Sequence, residues 1–191
     1  MELLGGREHR PIVLVAYDEA WPARFARERA RIAAALGGRA DRIDHIGSTS
    51  VPGLLAKPII DIQVSVADAD DESAYLGALE DAGYVLRVRE PGHRMLRTPA
   101  LDVHVHICPS GGEWERHHLL FRDWLRAEPA DAGRYAEVKR ALAARDWPDM
   151  NQYADAKTDI VSDISARAEA WAESTGWSPL TTVPGGGRIA R

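Results

Sequence analysis

The chain has 191 residues, 45% of them hydrophobic and 28% charged, with a formal charge of −5 at pH 7. Those proportions suit one folded domain with a tail and exclude disordered, collagen-like and disulfide-scaffold chains. The negative balance makes nucleic acid an unlikely partner through a whole-surface basic field, and leaves room for a local basic pocket.

The single cysteine, Cys108, permits no internal disulfide and fits a reducing cytosol. No run approaches the roughly 18 consecutive apolar residues that a membrane span needs. Residues 1–10 lack the apolar core of a secretory signal. The expectation is a cytoplasmic protein with no membrane contact. Its domain is expected over residues 11–175, with flexible tails at 1–10 and 176–191, the latter carrying Gly185, Gly186 and Gly187.

Residues 12–16 form a short apolar run. Asp18 is placed to cap a helix whose first turn holds Pro22. Phe25, Ile32 and Leu36 follow at helical spacing, and Gly37-Gly38 ends the helix. Residues 42–46 predict a short strand, followed by the glycine-bounded segment GSTSVPG at 47–53. Residues 59–66 predict a second strand by strict alternation. Ile60, Ile62, Val64 and Val66 share one face; Ile59, Asp61, Gln63 and Ser65 share the other. A helix is expected over 70–82, closed by Gly83. Strands follow at 84–89, 94–98 and 101–107, joined by turns at Pro91-Gly92 and Thr98-Pro99-Ala100. The remainder predicts helices at 113–127, 130–144 and 151–173, separated at Pro129 and Trp147-Pro148. This order describes an α+β, or mixed α/β, architecture.

Four groups of residues carry candidate chemistry. In His45-Ile46-Gly47-Ser48-Thr49-Ser50 a glycine and three hydroxyls follow a strand. Such a segment either binds phosphate at a helix start or is a hydroxyl-rich turn that caps a helix. It lacks the Gly-Lys-Ser/Thr of a P-loop. Asp61 lies mid-strand among isoleucines, where a carboxylate needs a partner: either Lys57 or a divalent cation. Asp102, His104 and His106 alternate along the 101–107 strand, opposite Leu101, Val103, Val105 and Ile107. Two imidazoles and a carboxylate on one face point to metal or phosphate, although no cysteine pairs make it a structural zinc site. On the late helices, Tyr153 and Lys157 share a face by their i,i+4 spacing. Most charged residues there, including Arg116 and Lys139, otherwise read as solvated surface. Trp114, Phe121, Trp124 and Leu125 read as a core stripe, and Cys108 as a packing residue.

Together these segments resemble the GrpB family. The resemblance is carried by AYDEAWPARF (16–25), HIGSTSVPGLLAKPIIDI (45–62), DVHVHIC (102–108), EWERHHLLFRDWLR (113–126) and NQYADAK (151–157), and runs from about residue 12 to 173. It implies a polymerase-β-type nucleotidyltransferase core, a mixed sheet flanked by helices with a C-terminal helical part. In that superfamily a Gly-Ser motif meets a nucleoside triphosphate, and acids on two neighbouring strands hold two Mg²⁺ ions. Gly47 and Ser48 match the Gly-Ser motif, and Asp61 matches the first acid. The second acid position is Gln63, a neutral amide, which departs from the active pattern. The third falls on Asp102 or His104.

The resemblance therefore implies a metal-dependent nucleotidyltransferase acting on a nucleoside triphosphate and an unidentified acceptor, with Asp61, Asp102 and His104 as catalytic residues. The cation would be held by Asp61, Asp102, His104 and His106. Imidazole donors shift its identity from Mg²⁺ toward Mn²⁺ or Zn²⁺. His45, Gly47, Ser48, Thr49, Lys57, Arg116, Tyr153 and Lys157 would face the nucleotide. The alternative is a catalytically inactive relative that binds a nucleotide or phosphorylated metabolite. Gln63 favours the alternative; Asp61 and the histidine face favour the enzyme.

Overall fold

The alternation in residues 59–66 is realised in a mixed sheet that buries one apolar and one polar face. The computed structural model describes residues 1–7 and 9–179. In chain order its elements are β1 (Glu2–Leu3), α1 (Trp21–Leu36), β2 (Arg42–Ile46), β3 (Ile60–Val66), α2 (Leu76–Asp81), β4 (Val85–Glu90), β5 (His93–Arg97) and β6 (Val103–Pro109). Four helices follow: α3 (Glu113–Ala127), α4 (Pro129–Ala143), α5 (Met150–Asp155) and α6 (Thr158–Thr175). The strands form one sheet in the order β1-β4-β5-β6-β3-β2. All neighbours are antiparallel except β3 and β6, which run parallel.

The apolar face packs against α1 and α2. Ile60, Ile62 and Val64 of β3 and Val105 and Ile107 of β6 are fully buried there with Ile32, Leu36 and Leu79. Each such side chain contributes about 1.5–3 kcal/mol by leaving water. The opposite face is polar and is covered by α3. Glu115 of α3 accepts a hydrogen bond of 2.5 Å from the Ser65 hydroxyl. Arg122 of α3 donates to Asp123 and to the His45 carbonyl. The helices α4 and α6 then pack on α3 around Leu125, Tyr135 and Ile164.

The predicted elements return with four differences. Asp18 does not cap α1; its carboxylate accepts from the Ala20 N–H in the turn ahead of the helix. The helix expected over 70–82 is helical only from Leu76, after a 3-10 turn at Glu72–Ala74. Asp68 and Asp71 bond their own neighbours, Asp70 N–H and Ser73 hydroxyl, and such local bonds compete with the helix. The helix expected over 151–173 is two helices, α5 and α6, with the break at Ala156-Lys157. Finally, Glu2–Leu3 adds an edge strand to β4, within a segment expected to be loose. Of the expected C-terminal tail, residues 180–191 lie outside the described residues. The Pro179 carbonyl accepts a bond of 2.6 Å from Arg42. Cys108 is fully buried, and burial pushes its thiol up to about 12. Among the described residues no helix is long and apolar enough to cross a membrane.

Candidate functional site

The parallel register of β3 and β6 sets the site. It pairs Asp61 with His104 and Gln63 with His106. Residues paired across neighbouring strands share a face, so the three polar side chains meet. His104 Nδ1 lies 3.2 Å from Asp61 Oδ1, and His106 Nε2 lies 3.8 Å from the same oxygen. The possible ligand atoms of Asp61, His104 and His106 all lie within 4.8 Å of one another, and the three residues are half-buried. Burial alone would raise the Asp61 carboxyl, but the hydrogen bonds and charges of His104 and His106 outweigh it and hold the group well below the usual carboxylate range. Both histidine contacts to Asp61 are shorter than about 4.2 Å, the widest separation of two ligand atoms each about 2.1 Å from one ion. These three residues could together hold a divalent cation.

The Gly-Ser loop closes on this carboxylate. Gly47 has φ +66°, and a Cβ built on it would stand 2.5 Å from Asp61 Oδ2. The Thr49 hydroxyl donates to the Ile59 carbonyl at 3.1 Å, so it accepts from His45 Nε2 at 3.0 Å. The Ser50 hydroxyl donates to the Gly47 carbonyl. These bonds fix the loop and leave Ser48 facing the late helices.

There Lys139 Nζ donates to Ser48 Oγ at 3.0 Å and to the Leu55 carbonyl at 2.6 Å. Lys57 and Lys157 line the same pocket, of about 170 Å³, with Asp61 and His104. Lys139 is 3% exposed. Burial, followed by repulsion from Lys157, Arg140 and Lys57, lowers its ammonium to about 7. Burial and Lys57 lower Lys157 to about 8, and burial lowers Lys57 as well. Two tyrosines shape the lysines. Lys139 lies 4.6 Å from the centre of the Tyr135 ring, and Lys157 lies 4.6 Å from that of Tyr153. At such distances the ring faces attract the ammonium charge. Beyond Thr49 a larger groove of about 1140 Å³ opens between α1, the 47–55 loop and α4.

Three expected site residues stand elsewhere. Asp102 precedes β6, after Leu101 with φ +62°, and turns to the Thr98 hydroxyl at 2.7 Å and to Arg24 at 3.0 Å. It is satisfied there and does not join Asp61. His45 pairs with Ile62 in the antiparallel register, which puts it on the apolar face. Its ring stacks on Phe25 at 4.8 Å, and burial lowers its pKa to about 4. It buttresses the loop through Thr49. Arg116 makes two bonds of 2.6 Å to Glu169 and ties α3 to α6, away from the pocket. Gln63 is fully buried, with neither amide atom hydrogen-bonded to a described residue. Tyr153 and Lys157 line the pocket with Asp61.

Tyr135 and Lys139 are the site residues that spacing arguments passed over. A signal for them exists in YAEVK (135–139) and YADAK (153–157), the same tyrosine-to-lysine spacing on two helices. Trp114, expected in the apolar core, instead stacks on histidines. Its ring lies 3.7 Å from that of His118 and 4.8 Å from that of His93.

A mixed sheet flanked by helices, with a Gly-Ser loop closing on an acid of the next strand, defines a nucleotidyltransferase-like fold. The chain belongs to the GrpB family: the family described as "GrpB protein" matches residues 11–167. A UPF0157 protein of Streptomyces coelicolor is 54% identical over 89% of this chain and 91% of its own. A UPF0157 protein of Halalkalibacterium halodurans is 48% identical over 83% of each. The crystal structure of the conserved protein GrpB from Enterococcus faecalis superposes with a TM-score of 0.72 at 31% identity, covering 83% of this chain and 99% of that one.

Proposed function

We propose that this pocket binds a divalent cation together with the phosphate chain of a nucleoside triphosphate, and transfers the nucleotidyl group to an acceptor hydroxyl. The observation that carries the reading is the opposition of charges across about 170 Å³. Asp61 and His104 stand on one wall, with His106 behind Asp61, and Ser48, Lys57, Lys139 and Lys157 form the other. Only Asp61 among these brings a negative charge. A cation and three lysines with one carboxylate leave an excess of positive charge, which a polyphosphate neutralises. Gln63 adds no charge, so the donor set supports one cation where the superfamily pattern has two.

In the reaction, the acceptor hydroxyl loses its proton to solvent, its oxygen forms a bond to the α-phosphorus and the bond to the bridging oxygen breaks, releasing pyrophosphate. Lys139 and Lys157 balance the charge that develops on the leaving group, and the Ser48 hydroxyl, held by Lys139, orients a phosphate oxygen. A bound cation supplies Lewis-acid polarisation and lowers the pKa of the attacking hydroxyl. The small pocket takes phosphate and cation only; the adjoining groove is large enough for the rest of a substrate. Gln63 supports a second reading, a binding protein for a nucleotide or phosphorylated metabolite without turnover.

The two are separated by measuring Mn²⁺-dependent pyrophosphate release from the four nucleoside triphosphates with a panel of hydroxyl acceptors, beside calorimetry of nucleotide binding. Release that Asp61→Asn abolishes supports the transferase. Tight binding without release in any combination supports the binding protein. Neither binding nor release overturns both.

A further inference from the structure

The polar face holds a second carboxylate that reaches Asp61 through two rings. His106 Nε2 faces Asp61 Oδ1 at 3.8 Å. Its other nitrogen, Nδ1, lies 3.1 Å from His93 Nε2. His93 Nδ1 in turn lies 2.9 Å from Glu90 Oε1. Glu90 ends β4 and His93 begins β5, so the turn at Pro91-Gly92 presents both to the middle of the sheet. The His93 side chain is 10% exposed, whereas that of Glu90 is 37% exposed. Trp114 of α3 stacks on His93 at 4.8 Å and on His106 at 5.4 Å, which fixes both ring planes.

The direction of this chain follows from donor and acceptor counting. An ionised carboxylate only accepts, so His93 Nδ1–H donates to Glu90. In a neutral imidazole the other nitrogen then accepts, so His93 Nε2 receives the Nδ1–H of His106. With a cation between it and Asp61, the Nε2 lone pair of His106 is then the ligand; without the cation, the Asp61 carboxylate facing Nε2 favours an Nε2–H donor instead. The opposite tautomer would place a proton between His106 and the cation.

We propose that Glu90 and His93 are positioning residues that hold His106 as an Nε2 ligand, so that the cation site extends as a carboxylate–imidazole–imidazole chain to the protein surface. This rests on the cation reading of the pocket and adds two residues to it. Partners of this kind raise ligand basicity and typically alter metal affinity by roughly 10- to 100-fold. Two imidazole donors against one carboxylate favour a borderline cation such as Zn²⁺ over Mg²⁺.

The test uses the full chain and two readouts. The first is spectroscopic: two-bond ¹H–¹⁵N spectra of the Zn²⁺-loaded protein report which nitrogen of His106 carries the proton. The expected form is Nδ1–H in the wild type, with its signal shifted in His93→Ala, where the acceptor is gone. The second is calorimetric titration with Mn²⁺ and with Zn²⁺. His93→Ala is expected to weaken binding by roughly 10- to 100-fold. His93→Gln, which can return an acceptor oxygen near the place of Nε2, should recover part of the loss, and Glu90→Gln should cost less than His93→Ala. Thermal melts identify a variant that fails to fold, in which case His93→Gln and Glu90→Gln carry the comparison. An Nε2–H tautomer in the Zn²⁺-loaded wild type overturns the proposal. So does wild-type binding that Asp61→Asn abolishes and His93→Ala leaves unchanged, and that result spares the cation reading. Equal binding, or none, in the wild type and Asp61→Asn overturns the cation reading itself.

Discussion

At Gly47 the loop backbone and the Asp61 carboxylate occupy nearly the same space, since a Cβ would stand 2.5 Å from Oδ2. Gly53 in the same loop has φ +77° but open space around it. The pair separates conformational cost from site damage. Gly53→Ala should lose about 1–2 kcal/mol for a side chain at positive φ, and Gly47→Ala, whose ψ of −175° lies in a region that essentially only glycine adopts, about 1–3 kcal/mol. Only Gly47→Ala should also weaken Mn²⁺ binding, by displacing the carboxylate; melting curves and metal titration on both variants check this. Lys139 is the second residue with a separable role. Its ammonium bonds Ser48 and the Leu55 carbonyl while almost fully buried, an arrangement poor for stability and good for anions. Lys139→Met should leave the protein folded and lower triphosphate affinity by roughly tenfold or more, the weight of one charged hydrogen bond. Calorimetry that finds unchanged affinity would remove Lys139 from the phosphate wall.

At the scale of elements, α3 and α6 are joined by Arg116 and Glu169, whose side chains are 43% and 42% exposed. Pairs so exposed contribute about 0.2–1 kcal/mol. Arg116→Ala should therefore lower the melting temperature only slightly and leave Mn²⁺ and triphosphate titrations unchanged. That contrasts with the nucleotide contact that the helix motif alone suggests. Period-two alternation made the polar faces of β3 and β6 readable, because a strand with one buried apolar face cannot slip register without exposing it. It did not show that the two strands are neighbours; the family resemblance implied that, and the parallel pairing bears it out. Alternation also misplaced residues at strand ends. Asp102 shares parity with His104, yet it lies one residue before β6 begins and is drawn off by Thr98 and Arg24. Arg24 comes from α1, so no local pattern could reveal it. His45 was ambiguous for a related reason: which face it takes depends on how β2 registers with β3. The burial of Lys139 was hidden because one charged helix face looks like another until the loop it covers is in place.

Over the whole molecule, a net charge of −5 coexists with one pocket that gathers three lysines around a phosphate-sized space. The net charge disfavours polyanions over the molecule as a whole, and the lysine pocket is where the proposed triphosphate would overcome it. Gathering cations has a signature in pH. Lys139 is lowered to about 7 and Lys157 to about 8, against an ordinary lysine near 10.5. Between those values the unfolded chain binds more protons than the folded one, so the stability of the anion-free protein should rise as pH rises from about 7 toward 10. A bound polyphosphate reverses the balance, because its charge favours the ammonium forms and restores their pKa values. Binding of a nonhydrolysable nucleoside triphosphate at pH 8, where its phosphates are already ionised, should therefore take up protons. The buried histidines His45, His93 and His118 are neutral at that pH, being lowered to about 4, 4 and 3 by burial first. Calorimetry in two buffers of different ionisation enthalpy measures the uptake directly. A fraction of a proton or more is expected for the wild type and a smaller value for Lys139→Met, with affinity falling as pH rises through the 7–9 range. Zero uptake in the wild type would mean that the polyphosphate does not sit among these lysines.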